Sequence, residues 1–157
     1  MVDRELLEKK KKLQEVRNIL KTFNGVKILC IYEKCDSTLE LISENLSEIG
    51  YYSNAKKRPD SKISINANDY LIYQWINENM KLKNDDILFL LCNGIWIKMQ
   101  IIDVMNATQS LWNNIDGGKG FTILNEDMDK LLDVGEDSRD EMNYLFDEYS
   151  ISVCMED

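Results

Sequence analysis

Two apolar runs joined by an asparagine–glycine pair constrain this chain more than any other part of its sequence. Ile87 to Cys92 and Ile95 to Ile102 flank Asn93-Gly94. A two-residue link of this kind favours a type I′ turn, because both of its central positions need positive φ, which asparagine and glycine tolerate. We therefore predict a β-hairpin over residues 87–102. Since both arms are apolar at most positions, we expect the hairpin to lie centrally in a sheet that is covered on both faces.

The spacing of apolar residues elsewhere alternates between periods near 3.6 and near 2, a mixture that is typical of helices and strands in one fold. Helices are predicted over Asp3 to Thr22, Ser37 to Gly50, Asn68 or Asp69 to Leu82, and Thr108 to Asn113. Strands are predicted over Val26 to Glu33, Ile63 to Ile65 at a sheet edge, and Phe121 to Leu124, while residues 142–153 fit either type. The prediction is an α+β fold, a mainly antiparallel sheet with the central hairpin at about 87–102 packed against three to four helices.

The chain has 157 residues, of which 44% are hydrophobic, enough for one ordinary core. It contains no internal repeat, no low-complexity tract and no linker rich in serine, proline and glycine that would separate two domains. We therefore expect residues 1–157 to form a single globular domain.

Charge is distributed unevenly along the chain. Residues 1–34 hold nine Lys/Arg against five Asp/Glu, residues 116–157 hold three against thirteen, and the net charge is −9. An acidic surface opposes binding to nucleic acid or to an anionic membrane, because both are bound chiefly by basic side chains. The one basic stretch, Lys9 to Lys12, is preceded at helical spacing by Glu5 and Glu8. We expect it to be a solvated helix face rather than a patch for phosphate groups.

The chain contains no histidine. This excludes nucleophilic catalysis of the Ser–His–Asp or Cys–His type within the chain, and it removes the commonest general base. The sequence also has no phosphate-binding, dinucleotide-binding or metallohydrolase motif. We therefore expect no catalytic residue, no resident metal and no cofactor.

No apolar run approaches the roughly 18 residues of a membrane span, and the first eight residues lack the apolar centre of a signal peptide. We expect a cytosolic protein, in which disulfides are uncommon. The cysteines at positions 30, 35, 92 and 154 lack the paired short spacings of a zinc knuckle. They are expected to be reduced thiols, with Cys30 and Cys92 in the core.

Residues 125–136 have the spacing of a possible calcium loop. Oxygen-bearing side chains fall at positions 1, 3, 5, 9 and 12, which are Asn125, Asp127, Asp129, Asp133 and Glu136. Position 6, where such a loop needs glycine for a sharp turn, is Lys130. The expected structure is therefore a helix or turn whose acids complement a helix dipole.

Two other polar segments have similar alternatives. Gly117 to Gly120 could cradle a phosphate through backbone N–H groups, but the pattern that follows is a strand, so a mobile hairpin loop is expected. Asp137 to Glu141 combines carboxylates with Arg139, as acid–base catalysts do. Because no second motif converges on it, a polar surface turn is the simpler interpretation.

Aromatic and acidic side chains are interspersed in the second half of the chain. Aromatic anchors provide much of the binding energy of protein interfaces, and acidic side chains steer a basic partner. Trp96 shares a strand face with Lys98 and Gln100 and is expected to be partly exposed. The sequence therefore predicts a surface for a basic protein partner, made of Trp96, Trp112, Asp137, Asp140, Glu141, Tyr144, Asp147, Glu148 and Tyr149.

The chain combines small size and acidity with a tryptophan-bearing hairpin at 87–102, Gly-Phe-Thr-Ile-Leu-Asn-Glu-Asp at 120–127 and Asp-Ser-Arg-Asp-Glu at 137–141. In these respects it resembles the small acidic α+β immunity proteins that neutralise bacterial toxins. The resemblance implies a non-catalytic inhibitor that covers the active cleft of a toxin such as a nuclease, whose cleft is basic. Two alternatives stay open: a carboxylate-dependent ion-binding protein or enzyme using the acidic segment 125–141, and a structural subunit of a larger assembly.

Overall fold

A computed structural model describes residues 3–32, 37–46, 57–115 and 117–151. Its helices are α1 (Arg4–Leu20), α2 (Ser37–Glu44), α3 (Asp69–Met80) and α4 (Val104–Asn113). Its strands are β1 (Val26–Ile31), β2 (Ser61–Ser64), β3 (Ile87–Cys92), β4 (Ile95–Ile101), β5 (Gly120–Asn125), β6 (Lys130–Asp137) and β7 (Asp140–Ser150). These strands form one antiparallel sheet in the order β1-β4-β3-β5-β6-β7-β2, so the fold is α+β. Within the described ranges, no helix is long and apolar enough to cross a membrane.

The β3–β4 hairpin forms where the sequence predicts it. Asn93 has φ of 50° and Gly94 has φ of 76°, the positive values that a type I′ turn requires. The pairing continues without a break from Cys92 opposite Ile95 to Ile87 opposite Gln100. In the sheet, β4 and β3 are the second and third strands counted from β1, so the hairpin is flanked by paired strands on both sides.

The sheet carries an apolar cluster on each face. Alternate residues of β3 point to opposite faces, so Leu88 and Leu90 pack with α3 and α4, while Phe89 packs with α2. The larger cluster also takes in Val16, the one residue of α1 that is fully buried. The smaller cluster comprises Leu39, Ile42, Leu46, Phe89, Trp96, Leu124, Leu131 and Tyr149. Covering on both faces explains why both arms of the hairpin are apolar.

Helix caps set the starts of α3 and α4. The side chain of Asn68 accepts a hydrogen bond from the backbone N–H of Leu71 at 2.9 Å, so Asn68, one of the two predicted starts, is the N-cap of α3. Asp103 accepts from the backbone N–H of Asn106 at 2.9 Å and starts α4 several residues before the predicted Thr108. The prediction missed this start because Val104 to Ala107 lack a clear helical stripe of their own.

The carboxy-terminal third differs most from the prediction. Residues 126–129 form a turn, and the residues after the turn form strand β6 rather than a helix. The segment 142–153, which fitted either type, is strand as far as Ser150. Residues 117–119 lie between α4 and β5 and Gly120 begins β5, so the expected hairpin loop there is wrong. The edge strand β2 is confirmed, but it ends one residue before Ile65.

Cys30 is exposed and Cys92 is buried, so the expected core position is confirmed for Cys92 and wrong for Cys30. Cys30 lies in β1 at the outer edge of the sheet, next to a register shift that begins after Ile28. The predicted ends at Glu33 and Gly50, the tyrosines at 51 and 52, and the cysteines at 35 and 154 lie outside the described residues.

Gly25 and Gly94 allow a matched test of how backbone and packing constrain this fold. They have φ of 78° and 76°, but a Cβ on Gly25 would lie 2.6 Å from the backbone N of Ala107, while one on Gly94 would meet nothing within 4 Å. We predict that Gly94→Ala lowers the free energy of unfolding by about 1 kcal/mol, the cost of left-handed backbone. Gly25→Ala should cost about 2 kcal/mol more because α4 must also move. Urea denaturation of both variants measures the difference, and equal losses would contradict it.

Candidate binding site

The turn between β6 and β7 is organised around Arg139. Its backbone N–H and its Nε both donate to Oδ1 of Asp137 at 3.0 Å, and its Nη2 donates to Oδ2 at 2.9 Å. This bidentate geometry matches the planar guanidinium to the carboxylate. The Arg139 side chain is only 7% exposed. The expected polar turn is therefore present, but its central cation is buried.

A second carboxylate, Asp147 on β7, completes the site. Its side chain is 1% exposed, and both of its oxygens accept hydrogen bonds from Arg139. Lys57 lies on the same carboxylate, with Nζ 3.1 Å from Asp147 Oδ1 and 3.1 Å from Asp60 Oδ2. Arg139 Nη1 also donates to the backbone carbonyl of Lys57 at 3.0 Å. We call Arg139, Lys57, Asp60, Asp137 and Asp147 the arginine network.

The arginine network holds its cations firmly in their charged form. Burial alone would lower the pKa of Arg139 and of Lys57. For Arg139 the hydrogen bonds to Asp137 and Asp147 outweigh burial and raise the pKa. For Lys57 the bonds to Asp60 and Asp147 do the same. Both cations therefore stay charged at neutral pH.

Asp133 lies beside this network without a cation of its own. On β6 it is directly opposite Thr122 of β5 and Asp147 of β7. The Thr122 hydroxyl donates to Asp133 Oδ1 at 2.9 Å. Burial, reinforced by the charges of Asp147 and Asp137, raises the pKa of Asp133 to about 6.

An open groove of about 500 Å³ lies at the same end of the sheet. Tyr144 and Asn143 form part of its lining, with Ile65 from the segment after β2 and Lys119 from the loop before β5. Its carboxylates are Glu136, Asp137, Asp140 and Glu141, and we call it the acidic groove. Hydrogen bonds from the Asn143 amide and the Met142 backbone N–H lower the pKa of Asp140, so this carboxylate is ionised and fixed.

The structure brings together four of the nine residues predicted to bind a partner. Asp137, Asp140, Glu141 and Tyr144 all line the acidic groove. Asp147 is buried behind it in the arginine network, and Glu148 is exposed on β7. The carboxylates at 137–141 are therefore the part of the predicted surface that forms a common wall.

All four predicted aromatics are buried, and Tyr144, at 4% exposed, adds little surface to the groove. Trp96 is 2% exposed, so its expected partial exposure is wrong: α2 covers its ring, and its Nε1 donates to Ser43 Oγ at 2.8 Å. Trp112 is also 2% exposed and meets the Tyr144 ring edge-on, with centroids 4.9 Å apart. Tyr149 is buried in the smaller apolar cluster, and Nζ of Lys57 lies 5.2 Å from the centroid of its ring. They therefore belong to the core rather than to a binding surface.

The oxygen side chains of the possible calcium loop do not converge. Asn125 Oδ1 accepts from the backbone N–H groups of Asp129 and Lys130, which closes the β5–β6 turn. Asp133 and Glu136 lie farther along β6, where each residue adds about 3.3 Å, so Glu136 is on the order of 20 Å from Asp129. Within the described parts of the chain, no three Cys, Asp or Glu side chains are grouped closely enough to hold a metal ion.

Sequence reasoning missed Lys57, Asp60 and Thr122. Lys57 and Asp60 flank the only proline in a segment with no regular pattern, and nothing local indicates that they reach β7. Thr122 could have been placed beside Asp133 once β5 and β6 were recognised as a hairpin, because cross-strand neighbours share a face. No family model, curated protein or solved structure matches the chain.

The buried position of Arg139 predicts a large effect on stability. Arg139→Met removes the bidentate partner of Asp137 and leaves Asp147 with Lys57 alone, so the free energy of unfolding should fall by about 3 kcal/mol. Arg4→Met is the control, because Arg4 is exposed on α1 and its loss should change stability by less than about 0.5 kcal/mol. Urea denaturation at pH 7 compares the two, and similar small losses would show that the network contributes little.

Asp133 predicts a pH dependence of opposite sign to that of an ordinary salt-bridged carboxylate. Its pKa of about 6 in the folded state exceeds the unfolded value. Its contribution to the free energy of unfolding is therefore fully present below about pH 4 and is lost as pH rises through 6. Asp133→Asn should therefore stabilise the protein by about 2 kcal/mol at pH 7.5 and by little at pH 4. Asp127→Asn, in the exposed turn, should do neither. Melting curves at both pH values test this, and an equal effect at both would refute it.

Proposed function

We propose that this chain is a non-catalytic acidic protein-binding module, an immunity-type inhibitor that acts in the cytosol on a basic partner such as a toxin or nuclease. The observation that carries the proposal is the acidic groove, in which Asp137, Asp140, Glu141 and Tyr144 line one concave surface. Such a surface accepts basic side chains of a partner, because opposite charges meet where water is partly excluded.

Carboxylates outnumber cations among the residues that line the groove. Arg139 is engaged by Asp137 and Asp147 behind the groove. Lys119 is the one lysine among the lining residues, against Glu136, Asp140 and Glu141. A net negative cleft raises the local concentration of a basic partner and increases its association rate.

The groove is also held in place before a partner binds. Arg139 ties the β6–β7 turn to Asp147 and to the backbone of Lys57, which precedes β2. Asn143 and the backbone of Met142 fix the carboxylate of Asp140. Groups that are already ordered lose less conformational entropy on binding, so the same contacts give a higher affinity.

The proposal predicts a charge-specific loss of association rate. A partner captured from a lysate of the native source at low salt, and identified by mass spectrometry, is first confirmed with purified components. Glu136→Gln combined with Glu141→Gln should then slow association about tenfold at low salt and reduce its salt dependence. Both side chains are exposed and line the groove, so the fold should be unaffected.

Glu8→Gln combined with Glu126→Gln is the matched control. Both residues are exposed and lie outside the groove, and the change in net charge is the same. The control should slow association by less than about twofold, since only charges within roughly 10 Å of the partner act strongly at moderate salt. Equal slowing by the two pairs, or a captured partner that resists high salt, would contradict the proposed surface.

A further inference from the structure

A second cleft opens where two hairpins part. Strands β3 and β5 pair as far as Leu91 opposite Thr122. Beyond that point β3 continues alongside β4 to Cys92, and β5 continues alongside β6 to Gly120. The separation leaves a cleft of about 480 Å³, a size that suits a small ligand. We call it the Asp133 cleft.

The lining of the Asp133 cleft combines one polar pair with apolar walls. Thr122 and Asp133 contribute the hydrogen-bonded polar pair, and the partly buried Leu91 contributes apolar surface, while Ile115 and Phe121 of the lining are largely buried in the larger cluster. Lys119 and Glu136 line this cleft and the acidic groove alike, so the two cavities are neighbours. A few placed polar groups among apolar side chains are the usual composition of a ligand site.

Asp133 differs from the aspartates of the arginine network, because it is not bound to either of their cations. The carboxylates of Asp60, Asp137 and Asp147 all contact Lys57 or Arg139, and those two cations are thereby used. Asp133 receives a hydrogen bond from Thr122 instead. Its Oδ1 accepts that bond, which leaves Oδ2 to accept from a ligand.

We propose that the Asp133 cleft binds the cationic head of an alkylammonium or alkylguanidinium group, with Asp133 as counter-ion and the alkyl stem against Leu91. The group belongs either to a free small amine or to a lysine or arginine side chain of a protein. The binding chemistry is the same for both sources. The inference stands on the cleft and the charges around it, and it does not depend on the proposed function of the acidic groove.

The groups that face Asp133 explain why a cation is favoured there. Thr122 of β5 and Asp147 of β7 lie opposite it, Asp137 is on its own strand, and Arg139 of the following turn acts on it more weakly. Lys57 is held on the far side by Asp60 and Asp147, while Glu136 and Lys119 are at the cleft.

A bound cation compensates the desolvated carboxylate, so binding of the cation and protonation of Asp133 compete. Affinity should therefore fall about tenfold for each pH unit below 6.

Titration followed by backbone amide NMR tests the site directly. With n-butylammonium as the probe at pH 7.5, saturable shifts are expected at residues 119–122 and 133–136. Asp133→Asn should weaken binding at least tenfold, whereas Asp127→Asn, which removes the same charge from the exposed β5–β6 turn, should leave it unchanged within twofold. The uncharged n-pentanol should not compete. At pH 5 the intact protein should bind n-butylammonium about tenfold more weakly than at pH 7.5.

Several results would overturn the inference. These are no saturable shift at 50 mM probe, equal binding by Asp133→Asn, equal binding of n-pentanol, or no loss of affinity at pH 5. Titration with Nα-acetyl-lysine methylamide then separates the two sources of the cation. Binding of this compound as tight as that of n-butylammonium supports a protein side chain, and binding of n-butylammonium alone supports a free amine.

Discussion

The contact between Arg139 and Asp147 determines the shape of the acidic end of this protein. With Lys57, it joins the β6–β7 turn, the middle of β7 and the segment before β2. Arg139 and Asp147 are 8 residues apart in the chain, and Lys57 is 82 residues from Arg139 and 90 from Asp147. Burying a charge pair costs desolvation that its mutual attraction barely offsets, so such a pair is weak evidence for stability on its own. Its consequence here is positional. Asp137 of the acidic groove has a fixed place because the same guanidinium also binds the buried Asp147.

The same arrangement explains why Asp133 is unusual. Thr122, Asp133 and Asp147 lie side by side on three neighbouring strands, and the local cations contact only the last of them. A carboxylate in this position opposes folding at neutral pH. Groups with shifted pKa values that lie in clefts are candidates for function. Asp133 meets both conditions, because a cleft lies beside it.

Local chemistry made some elements predictable from sequence and left others hidden. Asn93-Gly94 and the Asn68 cap act over two or three residues, and both appear where expected. Strand β6 was not predicted, because Asp133 and Gly135 interrupt its apolar pattern on one face, and only pairing with β5 and β7 makes an acidic residue suitable there. Four of the predicted partner-binding residues line one groove because they lie near the same end of the β6–β7 hairpin. The role of Lys57 could not be predicted from the sequence, because Lys57 and Asp147 are 90 residues apart in the chain.

The burial of the aromatic side chains changes what kind of interface this surface can form. Trp96, Trp112 and Tyr149 pack inside, so the groove offers carboxylates and part of Tyr144 rather than a row of exposed rings. An interface of this kind gains association rate and specificity from charge, while affinity must come from a few well-placed contacts. Glu136 and Lys119 lie between the acidic groove and the Asp133 cleft. A basic segment bound in the groove would therefore lie next to the cleft, where an inserted side chain would meet Asp133, whose Oδ1 accepts a hydrogen bond from Thr122 rather than from a cation.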